Sequence, residues 1–158
     1  ITYVTEYTEI IPDVSLLTSF STNYLKPKNS NLYIKDEKTI ISDNMGHEII
    51  LVLKRKEGLV VFSGCSHNGI LNMTDAALKQ FPDSSVIAVF GGFHLMNPGT
   101  GKMAESKETV TNIAEIFQKL PVEKIYTGHC TGNEAFNILE NVLKLKLESF
   151  RTGSVFNL

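Results

Sequence analysis

Hydrophobic and polar positions change rhythm several times along this chain, and each change marks an element. Residues 1–20 mix Val4, Tyr7, Ile10, Val14, Leu16, Leu17 and Phe20 with Thr and Ser, an extended pattern broken at Pro12-Asp13, where a turn is favoured. Residues 21–30 (STNYLKPKNS) are polar, contain a proline and read as a loop; residues 31–42 fit either a short strand or an irregular excursion. Residues 48–54 (EIILVLK) and 59–63 (LVVFS) are nearly unbroken apolar runs on either side of Arg55-Lys56-Glu57-Gly58, which predicts a β-hairpin whose glycine serves the turn. Runs of this kind suit strands covered on both faces.

Beyond residue 69 the period lengthens. Ile70, Leu71, Met73, Ala77, Leu78 and Phe81 recur at helical spacing and Pro82 stops the run, so the pattern predicts a helix over 70–81. Residues 85–90 (SVIAVF) form a short buried strand closed by Gly91-Gly92, and residues 96–103 a loop rich in glycine and proline. Ser106 is placed to cap a helix through Leu120, with Val110, Ile113, Ile116, Phe117 and Leu120 on one face and Pro121 following. A third buried strand spans 122–126, helix returns over 133–145, and residues 147–157 read as an extended strand with Gly153 at a turn or bulge. Strand, turn and helix thus recur three times after residue 58, which argues α/β layering. No repeat at a fixed period of 20–50 residues accompanies that order.

Composition narrows the class. The chain has 158 residues, enough for one domain with a sizeable core, and 42% apolar with 20% charged residues is ordinary for a globular protein. A formal net charge of −2 supplies no field to draw it to nucleic acid or an anionic membrane, and the lysines at 26, 28, 54 and 56 read as solvated surface. No apolar run approaches the ~20 residues that span a bilayer, and no signal peptide opens the sequence. Two cysteines, Cys65 and Cys130, make no disulfide framework, so a reduced, cytoplasmic setting is expected. The chain starts at Ile1 directly in strand-like sequence, and the expectation is a piece of something longer.

The chemistry gathers at the strand ends. His67 lies in Gly64-Cys65-Ser66-His67-Asn68-Gly69 after LVVFS, His94 in Gly91-Gly92-Phe93-His94-Leu95 after SVIAVF, and His129 in Gly128-His129-Cys130-Thr131-Gly132 after EKIYT. Ligands of α/β sheets bind beyond the carboxyl ends of the strands. Three imidazoles there could converge on one ion of the zinc, iron or manganese kind, and glycines let the backbone turn sharply beside it. A lone histidine after a strand is more often a hydrogen-bonded turn residue than a ligand; three in glycine-flanked turns favour a shared site. His47, in Asp43-Asn44-Met45-Gly46-His47-Glu48, reads as a loop or near-site residue. Ser66 and Cys65 invite a nucleophile reading, but the pattern G-x-S-x-G is not met. Cys130 fits either a ligand or, more readily, a small buried residue.

Taken in order, Gly64-Cys65-Ser66-His67-Asn68-Gly69-Ile70-Leu71-Asn72, Gly91-Gly92-Phe93-His94-Leu95 and Thr127-Gly128-His129-Cys130-Thr131-Gly132 resemble the metallo-β-lactamase superfamily, in its branch around 7,8-dihydropterin-6-methyl-4-(β-D-ribofuranosyl)-aminobenzene-5′-phosphate synthase. The resemblance covers most of the chain after residue 45. It implies an αββα sandwich with a metal site at one edge between two sheets, residues 1–158 being the C-terminal portion of that single domain. His67 and His129 match the family's ligands, while His94 stands where most members have a metal-bridging Asp, so it is either the third ligand or a catalytic, substrate-contacting group. The His-x-His-x-Asp-His motif of the family's N-terminal half does not occur here, which implies a partner half in cis or in trans. The resemblance further implies a metal-dependent hydrolase or transferase, with one or two divalent ions, zinc first and iron or manganese as alternatives. Its small-molecule substrate would carry a phosphate or diphosphate, against a rim of Gly64, Cys65, Ser66, Phe93, Thr131 and Gly132. A homo-oligomer is compatible with this. The rival reading is a non-catalytic binding or sensor domain on the same scaffold, or a half-domain inactive without its N-terminal part.

Overall fold

Apolar alternation and turn chemistry place the strands in the computed structural model, which describes residues 3–28 and 32–158. Strands β1 (Tyr7–Ile11) and β2 (Val14–Leu17) pair antiparallel across Pro12-Asp13, with Asp13 at φ 65°. β3 (Tyr33–Asp36) and β4 (Thr39–Ser42) form a separate two-stranded hairpin, which settles the ambiguous stretch 31–42 from residue 32 onward; residues 29–31 and the first two lie outside the described residues. β5 (Ile50–Arg55) and β6 (Gly58–Ser63) are the predicted hairpin, closed by Lys56-Glu57. Gly58 is needed there: its φ is 142°, and a Cβ would lie 2.7 Å from the Ser85 carbonyl oxygen.

From β6 onward every neighbour is parallel, and parallel neighbours need crossovers. α1 (Ile70–Gln80) leads to β7 (Val86–Gly91), α2 (Lys107–Lys119) to β8 (Val122–Thr127), and α3 (Asn133–Leu143) to β9 (Leu147–Ser149). The strand order is β1-β2-β5-β6-β7-β8-β9. Successive right-handed crossovers running one way across a sheet put their helices on one face. There Leu71, Met73 and Ala77 of α1, Val110 and Phe117 of α2, and Leu139 and Leu143 of α3 pack on Leu59, Val61, Val89 and Ile125. Ser106 caps α2 as its spacing predicts, its hydroxyl accepting the Thr109 N–H at 3.1 Å.

The other face carries an aromatic row. Phe62 stacks on Phe90 at 4.9 Å between centroids, and Phe90 on Tyr126 at 4.4 Å, above Val60 and Ala88. This row explains a correction at the C-terminus. The extended strand expected over 147–157 stops at Ser149; the chain then turns at Gly153 (φ 88°), with the Ser154 N–H on the Arg151 carbonyl, and lays Phe150 and Phe156 over the row. Covering aromatic surface wins over prolonging an edge strand. Two smaller corrections concern element ends. α3 ends at Leu143, where Lys144 takes φ 52° into a 3₁₀ turn, and β5 alternates between buried and half-buried positions before its charged end emerges. Of the four layers of an αββα sandwich, the described residues build one seven-stranded sheet and one helical layer, with the β3–β4 hairpin as a separate small sheet. Among them, no helix is long and apolar enough to cross a membrane.

Candidate metal centre

The carboxyl ends of β6, β7 and β8 lie side by side, so the three histidine turns share one edge. The turn after β6 is held from outside by Glu48. Its Oε1 accepts the His67 N–H at 2.7 Å, and its Oε2 accepts the Asn68 N–H at 2.7 Å and the Asn68 side-chain amide at 2.9 Å. Asn68 also donates to the Met45 carbonyl, and its Oδ1 accepts Lys26 Nζ at 2.6 Å. Ser66, at φ 60° and fully buried, shares a 2.7 Å hydrogen bond with Ser63.

The turn after β7 nests against both neighbours. The Gly92 N–H donates to the Gly64 carbonyl at 2.8 Å, and a Cβ on Gly92 would meet Cys130 Sγ at 2.5 Å, so only glycine fits. Phe93 points into the core, stacked on Phe117 at 5.9 Å, while its N–H donates to Thr131 Oγ1 at 3.0 Å. Thr131 is buried and shares a further 2.6 Å bond with Thr127. His94 sits at φ 49°, and its backbone N–H donates to Cys130 Sγ at 3.3 Å. Its ring lies 3.9 Å from that of His67, centroid to centroid, at 42°. The side chain is buried, and Nδ1 has no hydrogen-bond partner among the described residues. Burial, and then the His67 charge, hold the His94 pKa below the usual histidine value, against weaker upward pulls from Glu48 and Glu105.

His129 is exposed at φ 50° in the 3₁₀ turn after β8, and it comes together with the two thiols. Donor atoms of Cys65, His129 and Cys130 all lie within 4.8 Å of one another. Burial, with the Cys65 charge next, pushes the Cys130 thiol up to about 12. Beside His129 opens a cleft of about 290 Å³ lined by Thr127, Gly128, Gly132, Phe136 and Phe150. A second cavity, about 190 Å³, lies on the helix side between Tyr24, Lys26, Gly69, Phe93, Ile113 and Ile116.

The structure therefore brings Cys65, His67, His94 and His129 to one edge, with Gly64 beside them and Gly132 at the cleft. Ser66 and Thr131 turn their hydroxyls inward, where they fasten the turns, and Phe93 faces the core and the second cavity. His47 is an exposed loop residue whose Nδ1 lies 3.8 Å from Asp43. Sequence reasoning missed Glu48, Asn68 and Asn72. Asn72 is fully buried on the apolar face of α1 and holds the backbone of Tyr24 from both sides, accepting its N–H and donating to its carbonyl. An amide on an apolar helical stripe was the available signal.

Asp75, one turn further along α1, ties down the same loop by accepting Ser21 Oγ at 2.7 Å, Asn23 Nδ2 at 3.0 Å and Lys79 Nζ at 2.7 Å. Burial pulls its pKa upward, but hydrogen bonds from Lys79, Ser21 and Asn23, with the Lys79 charge, outweigh it and leave the pKa below 3.8. A depressed carboxylate pKa contributes stability that is complete above the unfolded value and is lost as pH falls through the folded one. Urea midpoints should therefore favour the wild type over Asp75→Asn at neutral pH, and the gap should close progressively below pH 3.8. A gap independent of pH would show that the carboxylate charge is not what holds the loop.

Layer order, three glycine-flanked histidine turns and their motifs define the class: the chain belongs to the metallo-β-lactamase superfamily. It is 35% identical over 133 residues to the 7,8-dihydropterin-6-methyl-4-(β-D-ribofuranosyl)-aminobenzene-5′-phosphate synthase of Methanocaldococcus jannaschii, covering 84% of this chain and 43% of that protein. An uncharacterized protein of the same organism is 29% identical over 109 residues, 69% of this chain and 36% of the other. The crystal structure of a metal-dependent hydrolase of the β-lactamase superfamily superposes with a TM-score of 0.80 at 28% identity, over 99% of this chain and 57% of that one. No family model matches. The chain thus spans less than half the length of the curated relatives it matches.

Proposed function

We propose that this edge is one side of a divalent-metal centre and that the whole protein is a metal-dependent hydrolase or transferase acting on a small phosphate- or diphosphate-bearing molecule. The observation that carries the reading is the buried Nδ1 of His94, without a hydrogen-bond partner among the described residues, beside the His67 ring. A buried imidazole nitrogen without a partner costs roughly 1–3 kcal/mol, a cost that coordination removes. The donor chemistry suits such an ion: His67 and His129 would serve as ligands, and His94 as the third ligand or as the group that meets substrate. Zinc is the first choice, in one or two ions, with iron or manganese also suited to imidazole. When bound, such an ion polarises a substrate oxygen and acidifies water.

The chain's own residues have separate tasks. Glu48 orients the His67 turn through the backbone, and the Cys130 sulfur seats His94 by accepting its N–H. Gly64, Cys65 and Gly132 form the rim, where the glycines' absent side chains let substrate approach the backbone. The hydrolase neighbour supports metal-dependent catalysis and the synthase relative supports an enzyme, without choosing between transfer and hydrolysis. Further ligands would come from an N-terminal half, in cis or in trans, in a cytoplasmic protein that needs neither nucleic acid nor membrane and can form a homo-oligomer.

The test is metal content by mass spectrometry of the full-length protein. Wild type should carry a transition metal, and His67→Ala with His129→Ala should weaken its binding by about 100-fold or more, beyond what loss of an outer-shell partner costs. Full-length protein free of transition metal, or a double variant that binds as the wild type does, overturns the reading. Metal binding without turnover would instead select a binding or sensor domain on the same scaffold.

A further inference from the structure

On the helix side of the sheet, the loop over residues 21–28 spans a cavity of about 190 Å³ without filling it. We propose that this cavity binds a small aromatic carboxylate of a single ring, with the ring between Tyr24, Phe93 and Ile116 and the carboxylate on the Lys26 ammonium. None of the four histidines or two cysteines lines it, so the inference stands apart from the metal reading.

The loop is fastened along its whole length. Asp75 accepts Ser21 Oγ and Asn23 Nδ2, and Asn72 holds both the N–H and the carbonyl of Tyr24. Asn68 accepts Lys26 Nζ, and Glu105 Oε1 accepts the Lys28 N–H at 2.7 Å. A polar loop held in this way does not slump into the space beneath it, which is what a preformed small-molecule site requires. The lining is divided by chemistry. Leu71 and Phe93 are buried, Tyr24, Ile113 and Ile116 are half-buried, and the exposed Lys26 and Asn112 stand at the mouth. An apolar space of about 150 Å³ admits a benzene molecule, so this one has room for a ring with one short substituent. Left empty, its walls forfeit dispersion contacts; a flat ring restores them against Tyr24 and Phe93.

Charge decides the substituent. Lys28 lies 3.6 Å from Glu105 and Lys79 2.7 Å from Asp75, but no carboxylate among the described residues pairs with Lys26. Its ammonium donates to the neutral Asn68 amide oxygen at 2.6 Å, beside Gly69 in the cavity wall, and keeps two further protons to donate. A ligand carboxylate there gains charge-assisted hydrogen bonds, which are stronger than those to a neutral oxygen. Phe93 also stacks on Phe117 of α2, so an occupant braces a ring shared between the cavity and the core.

The experiment is a benzoate titration of the full-length protein, labelled with carbon-13 at its isoleucine methyls and followed by NMR. The Ile113 and Ile116 methyls should shift saturably, with a Kd of about 1 mM or tighter. Lys26→Met should weaken benzoate about tenfold and leave benzyl alcohol, a neutral ring of similar size, within about twofold of wild type. Asn112→Trp, at an exposed helical position, should block both probes, with circular dichroism checking the fold. Benzoate is also a metal ligand, so the titration is repeated after chelation. Shifts that persist support the cavity site; shifts that vanish place the probe on the ion and overturn the proposal while the metal reading stands. Methyls that do not move overturn it too, as does a Lys26→Met variant that binds benzoate like the wild type or loses both probes equally.

Discussion

Truncating Phe93 to alanine is expected to lower global stability by about 3–5 kcal/mol, the largest effect of any single substitution near the histidine edge. Phe93 is 1% exposed, lies among the largest fully buried side chains, and stacks on Phe117 of α2 at 5.9 Å. Its removal opens a void next to the existing 190 Å³ cavity, whose wall it forms. A cavity that can merge with a neighbour relaxes poorly, which puts the cost toward the upper end. The position also couples core to chemistry. The Phe93 N–H is fixed on Thr131 and the next residue is His94, so loosening the ring loosens the turn that aims an imidazole. Phe93→Leu, closer in volume, should cost about 1.5 kcal/mol or less by the same denaturant midpoint. Equal losses for Ala and Leu would mean that ring stacking, rather than filled volume, holds the turn.

The sequence made much of this legible because it lies in local pattern. Apolar runs at 59–63 and 85–90 become β6 and β7 within a residue or two, since strands covered on both faces leave little room for polar residues; 122–126 becomes β8 with Glu123 exposed and Lys124 half-buried near its start. Pro82, Ser106 and Pro121 bound helices for steric and capping reasons that need no tertiary context. The histidine turns were visible for the same reason: glycine beside histidine after a buried strand is a local signature. What escaped depends on contacts between distant segments. Glu48 precedes an apolar strand and looks like an ordinary solvated terminus; only the return of the chain 19 residues later puts the His67 N–H on its carboxylate. Cys130 and Cys65 carry no joint signal until β8 brings one against the other. The turn-back of residues 150–157 could not be read from an extended, aromatic-containing tail, because its cause is the row of Phe62, Phe90 and Tyr126 on another part of the sheet.

Glu48 supplies the second large effect. Glu48→Ala should lower stability by about 2–3 kcal/mol, because one carboxylate satisfies the backbone N–H groups of His67 and Asn68 and the Asn68 amide. Glu48→Gln is a sharper probe. Its amide keeps one acceptor oxygen and turns a donor toward groups that are themselves donors, so it should recover part of the loss and never all of it. If Glu48 positions His67 as a ligand, the alanine variant should also bind metal about tenfold more weakly, measured by competition with a chelating dye. That second loss identifies the role. Combined with His67→Ala, the metal effects should not add, because Glu48 acts through the ligand that has gone; the stability effects should still add for the part owed to Asn68. Full additivity in metal affinity would reduce Glu48 to a structural clamp on the turn. Non-additivity would assign it to the support of the metal centre, which gives this carboxylate a reason to sit at the head of β5.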